Sequence, residues 1–436
     1  MNGSKALLMN SFVYAELVCI ETWKSPDWHA TMRFRLSCFL SESAMNRRLA
    51  MFAGLKVGLV VNQADFFLSH RLELAQALRA LGAEPVLLCP PGTGEAKAAQ
   101  YDLPVVTYPM SRSGINPFAE IGTILALGKL YRRLQLDLVH HITIKPVLYG
   151  TFAARRSGIP AVVNAVTGMG HVFTSQGVFG TLRRVGVNLV YRMLFGHPNM
   201  KIIFQNGEDR DLFISRSFVR PVDAIIIRGS GVDADRFPAT EEPSGPPVFL
   251  FVGRMLADKG VREFVSAARH LRQRFPEWRF QLLGGLDPGN PSALSEQELR
   301  SCQRDGIEWL GHQQGVAAFM AASHVVVLPS YREGVPKTLL EAAASGRAIV
   351  ATDIAGCREI VRPGVNGLLV PPRTVEPLIE AMERLGTDTR LRVRMGVAGS
   401  TRAKAFSVHD VVEHTVRVYS ALLTERVQVS AEEVVT

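Results

Sequence analysis

The chain has 436 residues, 47% of them apolar and 20% charged, with a formal net charge of +9. That length suits two or three domains, and the composition excludes a disordered or fibrous protein. No run reaches 18 apolar residues, so no transmembrane helix is expected, and five scattered cysteines without a CxxC pair argue for a reducing compartment and against a zinc site or disulfide frame.

Residues 1–54 show neither a sustained period nor a signal-peptide pattern. They are expected to be an N-terminal extension, either disordered or lying before a true start near Met45 or Met51. From Lys56 the rhythm turns α/β. Strands are expected at 56–61, 84–89, 136–142, 161–166, 201–206 and 224–229, with helices at 68–82, 119–135 and 147–158 between them. Apolar, β-branched strands alternating with helices predict a parallel sheet covered on both faces. A Pro-rich linker, PATEEPSGPP, opens at residue 238, and the rhythm restarts. Strands are expected at 248–253, 279–285, 307–311, 324–329, 348–352 and 367–371, and helices at 261–275, 316–323 and 375–386. The expected organisation is a first domain over 55–237, a second over 238–407, a helix over 408–425 returning to the first, and a disordered tail over 426–436. Two such doubly wound domains would face each other across a cleft at the carboxyl ends of their strands, where ligands of these sheets bind.

The charge is uneven. Residues 55–237 hold 20 Lys and Arg against 13 Asp and Glu, whereas 238–436 hold 23 of each. A basic first half suits a phosphate-bearing partner, an anionic lipid surface or nucleic acid, or is only a solubilising face.

The stretch PSYREGVPKTLLEAAASG, residues 329–346, follows an apolar strand and begins a helix near Pro336, a residue suited to the first helical position. The amides of Lys337, Thr338 and Leu339, the helix dipole and the Lys337 ammonium make this an expected anion site. Gly334 and Val335 precede it, and glycine there admits a ligand close to the backbone. Carboxylates bind hydroxyls rather than phosphate. Glu333 before the helix and Glu341 within it could therefore each hold a diol on either side of a diphosphate. Taken singly, Glu341 could be an ordinary helix residue and Glu333 an acid that complements the dipole.

With the residues around it, this E-x7-E pair resembles the retaining family 4 glycosyltransferases, whose GT-B fold has two Rossmann-like domains. FVGRMLADKG (251–260) resembles that family's diphosphate-binding segment, and GSGVDADRF (229–237) the segment between its domains. The likeness spans roughly residues 55–425. It implies that Glu333 contacts the donor sugar, Glu341 the ribose, and Arg254 and Lys259, beside Gly253, the diphosphate. It places WLGH, with Gly311 and His312, beside the base. It also implies front-face attack, with the leaving phosphate taking the acceptor proton. HITIKPVLYG and NAVTGMGHVFT look most like N-acetylgalactosaminyltransferases acting on undecaprenyl-diphosphate sugars. The expected partners are thus a UDP-sugar donor, a polyprenyl-diphosphate-linked saccharide acceptor and an anionic membrane surface, with no nucleic acid. The expected location is the cytoplasm, peripheral at the inner face of the plasma membrane.

Two departures qualify the likeness. The glycine-rich loop after the first strand is replaced by NQADFFLSHR. The family's His-Gly after VVNAV is Thr167–Gly168 here, with His171 beyond it, so His171, His141 and His70 compete for that histidine's role. Two DxD triplets, Asp209–Asp211 and Asp233–Asp235, read as a helix start and a loop, so neither a metal nor another cofactor is expected. Val178, Leu182, Val185, Leu189 and Met193 form a stripe with arginines off it, which fits either a membrane-surface helix or one packed on its own sheet. Two rival readings remain: a UDP-N-acetylglucosamine 2-epimerase of the same architecture, and a non-catalytic binder of nucleotide sugars or nucleic acid. Aromatic and basic residues are not interleaved as stacking on nucleic acid requires.

Overall fold

The computed structural model describes residues 42–433 apart from 93, 112–113, 115 and 169–194. The first half contains α1 (Glu42–Phe52), β1 (Lys56–Val61), α2 (Ala64–His70), α3 (Leu72–Ala80), β2 (Glu84–Cys89), α4 (Gly94–Ala99), β3 (Val105–Thr107), α5 (Pro117–Leu134), β4 (Leu138–Ile142), α6 (Ile144–Ser157), β5 (Ala161–Val166), β6 (Met200–Phe204), α7 (Gly207–Ser215) and β7 (Ala224–Ile226). The second half contains β8 (Val248–Val252), α8 (Val261–Arg274), β9 (Arg279–Leu283), α9 (Glu296–Arg304), β10 (Glu308–Gly311), α10 (Val316–Ala321), β11 (Val325–Leu328), α11 (Lys337–Ala344), β12 (Ala348–Thr352), α12 (Ala355–Ile360), β13 (Gly367–Val370), α13 (Glu376–Thr387), α14 (Thr389–Ala403) and α15 (Val408–Glu433).

Both sheets are parallel. Their orders are β3-β2-β1-β4-β5-β6-β7 and β10-β9-β8-β11-β12-β13. Strand residues alternate between two buried layers. Val57, Leu59 and Val61 enter one core of the first domain, while Val60 enters the core on the opposite face. Period-2 side-chain geometry forces this, and it is why these strands are apolar at nearly every position. In each sheet the strand order reverses beside the first strand, between β1 and β4 and between β8 and β11. That reversal opens a crevice at the carboxyl ends. Helices cover the sheets with spaced apolar faces: α8 buries Val261, Phe264, Val265, Ala268 and Leu271.

Several expectations are corrected. Residues 42–54 do not stand apart as a disordered extension, because α1 packs on the first domain with Phe52 in its core. There Arg48 donates to both carboxylate oxygens of Glu413 at 2.7 and 2.9 Å. The helix expected over 68–82 is two helices broken at Arg71. That buried side chain points across the molecule and donates to the Gly229 carbonyl at 3.3 Å. The last helix, α15, runs to Glu433, through most of the expected tail. Its Val412, Val416, Tyr419 and Leu422 complete the first domain's core. The stripe from Val178 to Met193 lies outside the described residues.

Candidate active site

The donor-side residues gather at the carboxyl ends of the second sheet. Gly253 follows β8, and its amide donates to Leu283 at 3.0 Å. Beside it Gly284 adopts a φ of +152°, and a Cβ there would lie 1.8 Å from the Gly253 carbonyl oxygen, so the two loops meet backbone to backbone. Gly311 ends β10 and His312 follows it, near Gly285, and Trp309 Nε1 donates to the Gly284 carbonyl at 3.0 Å. Arg254 pairs with Asp287 at 2.5 Å. Lys259 ends a 3-10 turn and pairs with Glu333, both side chains being largely buried.

Helix α11 starts one residue later than expected, with Pro336 as its N-cap rather than its first residue. Its first turn is tight, and the amide of Leu339 donates to the Pro336 carbonyl at 3.0 Å. Leu339 is therefore corrected from a ligand contact to a core residue, and the amides of Lys337 and Thr338 remain for an anion. The Thr338 hydroxyl anchors the helix start to β8 through the Val252 carbonyl at 3.3 Å. Val335 is corrected likewise, since its amide donates to Gln205 Oε1 at 2.8 Å. Glu341 lies inside the helix, 3.8 Å from the Lys337 ammonium. Burial raises its carboxyl above the usual range, with Lys337 and Arg236 opposing the shift.

The first domain closes over this floor. A Cβ on Gly334 would lie 2.0 Å from Gln205 Oε1 and 2.6 Å from the Thr167 carbonyl oxygen. One on Gly168 would lie 4.0 Å from the Gly334 amide. Thr167 and Gly168 thus meet the Glu333–Gly334 loop directly, as do Gln205 and Asn206. Asn206 also caps α7, accepting from the Asp209 amide at 2.8 Å. Ion pairs Arg332–Asp209 (3.2 Å), Arg358–Glu208 (2.5 Å) and Arg228–Glu359 (2.6 Å) cross the cleft. The Arg358–Glu208 and Arg228–Glu359 pairs are exposed, and such pairs contribute up to about 1 kcal/mol each, whereas Asp209 is buried. Sequence reading missed Gln205 and Asn206. Their signal was a polar pair at the carboxyl end of a buried strand.

The three competing histidines separate. His171 lies outside the described residues. His141 is buried beneath the first sheet's face, with Tyr131 Oη at 2.9 Å from Nε2 and Asn164 Oδ1 at 2.8 Å from Nδ1. His70 reaches the cleft. It stacks on Phe66 and holds the Phe66 carbonyl at 3.1 Å through Nδ1, while Lys337 donates to the adjacent Ser69 carbonyl. Burial, and the cations Lys337, Arg71 and Lys259, lower the His70 pKa to about 3, so the ring is neutral at ordinary pH. Of the DxD acids, Asp209 pairs with Arg332 across the cleft, Asp211 pairs with neighbouring Arg210, and Asp233 accepts from the Asp235 amide. Among the described residues no group of three or more His, Cys, Asp or Glu converges as a metal site.

At the start of α11, then, Lys259 pairs with Glu333 and Lys337 lies beside Glu341, with Thr338 held against β8 and Gln205 of the other domain on the Val335 amide. Two family models match the chain, "Glycosyl transferase 4-like" over residues 56–205 and "Glycosyl transferases group 1" over 246–388. The chain belongs to the group 1 glycosyltransferases, and the two facing Rossmann-like domains are their GT-B fold. It is 26% identical over 382 residues to N,N'-diacetylbacillosaminyl-diphospho-undecaprenol alpha-1,3-N-acetylgalactosaminyltransferase of Campylobacter jejuni, covering 85% of this chain and 99% of that one. It is 26% identical over 295 residues to UDP-Gal:alpha-D-GlcNAc-diphosphoundecaprenol alpha-1,3-galactosyltransferase of Escherichia coli, covering 64% and 74%. The structure of Anabaena HepE in complex with UDP-glucose superposes with a TM-score of 0.65 at 19% identity, covering 84% of this chain and all of the other.

Proposed function

We propose that this glycosyltransferase moves a hexosyl or N-acetylhexosaminyl group from a UDP-sugar to a polyprenyl-diphosphate-linked saccharide, with retention at the anomeric carbon, in surface polysaccharide or glycan assembly. What supports this reading is the start of α11, where Lys337 lies beside Glu341, Lys259 pairs with Glu333, and Thr338 ties the helix to β8, which Gly253 and Arg254 follow. The two relatives' acceptors, both diphosphoundecaprenol-linked, support the acceptor class.

In this reading the Lys337 and Thr338 amides, with Lys259 and Arg254, take the donor diphosphate. Lys259 pairs with Glu333 and Arg254 with Asp287, and a diphosphate would compete with those carboxylates for both cations. Glu341 accepts from the ribose diol and Glu333 from a sugar hydroxyl. Gly311 and His312 border the base, and Thr167 and Gly168 border the sugar. The acceptor hydroxyl oxygen attacks the anomeric carbon on the face from which the diphosphate departs. The glycosidic C–O bond forms as the C–O bond to phosphate breaks, and a phosphate oxygen takes the acceptor's proton. Charge then develops beside Lys259, Arg254 and the helix start, where fixed donors stabilise it without reorganising. No helix among the described residues is long and apolar enough to cross a membrane. We place the chain peripherally, at the cytoplasmic face of the membrane holding its acceptor.

The test is a panel of UDP-sugars assayed with a polyprenyl-diphosphate sugar in detergent, with product anomericity read by NMR. One α-linked product, formed with or without EDTA, supports the proposal. A β-linked product refutes retention. An epimerised UDP-sugar appearing without acceptor would assign a 2-epimerase instead.

A further inference from the structure

Helix α5 has one face buried through Thr123, Leu127, Gly128 and Tyr131. Its other face is unusual. Phe118 is 84% exposed, Ile121 53% and Leu125 67%, three of the few large apolar side chains exposed among the described residues. Continuing along the same helix come the exposed Lys129, Arg132 and Arg133. At 100° per residue all six fall within an arc of about 120°. The solvent face is therefore a single stripe, apolar in its first half and cationic in its second. The adjacent α6 adds exposed Arg155 and Arg156 beside that cationic end, tied to it where Arg132 donates to Ser157 at 3.3 Å. The one acid in α5, Glu120, turns away to Lys145 at 2.6 Å. Because α5 connects two parallel strands, its N-terminal, apolar half lies at the strands' carboxyl ends, beside the cleft.

From this placement we infer that α5 lies flat on an anionic lipid bilayer, with Phe118, Ile121 and Leu125 among the acyl chains and the five cations against lipid phosphates. Charge decides the occupant. A patch of five cations with no exposed acid repels a second copy of itself and matches an anionic surface. The helix, about 27 Å long, would bring the cleft mouth to the membrane interface. This docking rests on the lipid-linked acceptor proposed above for its purpose, but not for its test.

The test is co-sedimentation of the full chain with phosphatidylglycerol–phosphatidylethanolamine vesicles and with phosphatidylcholine vesicles, without acceptor. Wild type should bind the anionic vesicles at least about tenfold more strongly, and less so as salt rises. Lys129, Arg132 and Arg133 changed together to Ser should weaken binding about a hundredfold, at about fivefold per cation. Phe118, Ile121 and Leu125 changed together to Ser should weaken it by about tenfold or more. All six side chains are exposed, so the thermal melt should not move. Val393→Ser with Val397→Ser, exposed apolar residues of the second domain, should leave binding unchanged. Equal binding to neutral vesicles, or binding that survives both triple changes, overturns the inference. So does loss of a dimer in the apolar variant without vesicle binding by wild type, which would give this face to a second copy. A chain that docks as described yet glycosylates no lipid-linked acceptor refutes the substrate reading and leaves the docking surface standing.

Discussion

Adding one methyl group at Gly334 tests whether the closed arrangement of the two domains is the working one. The Cβ of Gly334→Ala would sit 2.0 Å from Gln205 Oε1, 3.0 Å from Gln205 Cδ and 2.6 Å from the Thr167 carbonyl oxygen. Ordinary carbon–oxygen contact needs more than about 3 Å, so the first domain must retreat by about 1 Å. Neither neighbour yields alone, since Gln205 is buried and holds the Val335 amide at 2.8 Å and Thr167 contributes backbone. Retreat breaks that hydrogen bond, at about 1 kcal/mol. It also displaces the roof from the Glu333 loop, and a misplacement of about 1 Å can cost a hundredfold in rate. The expected result is a fall of about 100-fold in kcat/KM, read by UDP release in a coupled assay, with the melting of either separate domain little changed because the strain lies at their seam. Gln205→Ala should lose less than Gly334→Ala, and the double variant should recover part of the loss, limited by the Thr167 carbonyl. If Gly334→Ala keeps kcat/KM within about threefold of wild type, the closed cleft is not the catalytic geometry and the roles given to Thr167 and Gln205 are wrong.

Other outcomes follow from the same structure. Arg254→Ala and Lys259→Ala should each lower kcat by about 100- to 1000-fold with a smaller change in donor KM, as expected for groups facing charge that grows in the transition state. Equal loss in kcat/KM and none in kcat would reduce them to ground-state contacts. Glu341→Gln should weaken donor binding yet raise the melting temperature of the unliganded protein. A carboxyl whose pKa is raised on folding costs stability once pH exceeds its unfolded value, and the amide removes that cost. The gain should appear above about pH 4.5 and vanish below it; a drop in melting temperature at pH 7 would contradict the burial argument. His70 and His141, both lowered to about 3, give acid sensitivity to the first domain. The folded state refuses protons that the unfolded chain accepts below about pH 6.5, so stability is full above that pH and is lost as pH falls towards 3. At pH 5 the two together should cost about 4 kcal/mol, with buried His140 adding in the same direction. Guanidinium melts at pH 7 and pH 5 that coincide for the first-domain transition would count against this.

The strands were legible because burial on both faces leaves almost nothing but apolar, β-branched side chains in them, as in KVGLVV and HVVVLP. The core of the candidate site was legible for a different reason. Its residues, Arg254, Lys259, Glu333, Gly334, Lys337 and Glu341, cluster in two short segments that one sheet brings together. What the sequence hid depends on distant contacts. The break at Arg71 is invisible locally, since it is Gly229 that receives the guanidinium. Helix α14 carries no clean apolar stripe because Gly396 and Gly399 pack there on backbone; a Cβ on Gly396 would lie 2.1 Å from the Gly346 carbonyl oxygen. Strand β3 has only three residues, too short for any period to register. Gln205 went unremarked because its partner, the Val335 amide, lies 130 residues away.

Helix α15 gives the first domain a late dependency. Its Val412, Val416, Tyr419 and Leu422 fill a core otherwise made from residues 45–227, and Glu413 neutralises Arg48. On the ribosome, the second domain, complete by Phe406, has all its strands and helices before the first has its lid. The N-terminal half must therefore wait, partly unsealed, through the synthesis of about 180 further residues. Nonsense truncation near residue 407 should accordingly ruin the half translated earliest and spare the one translated last.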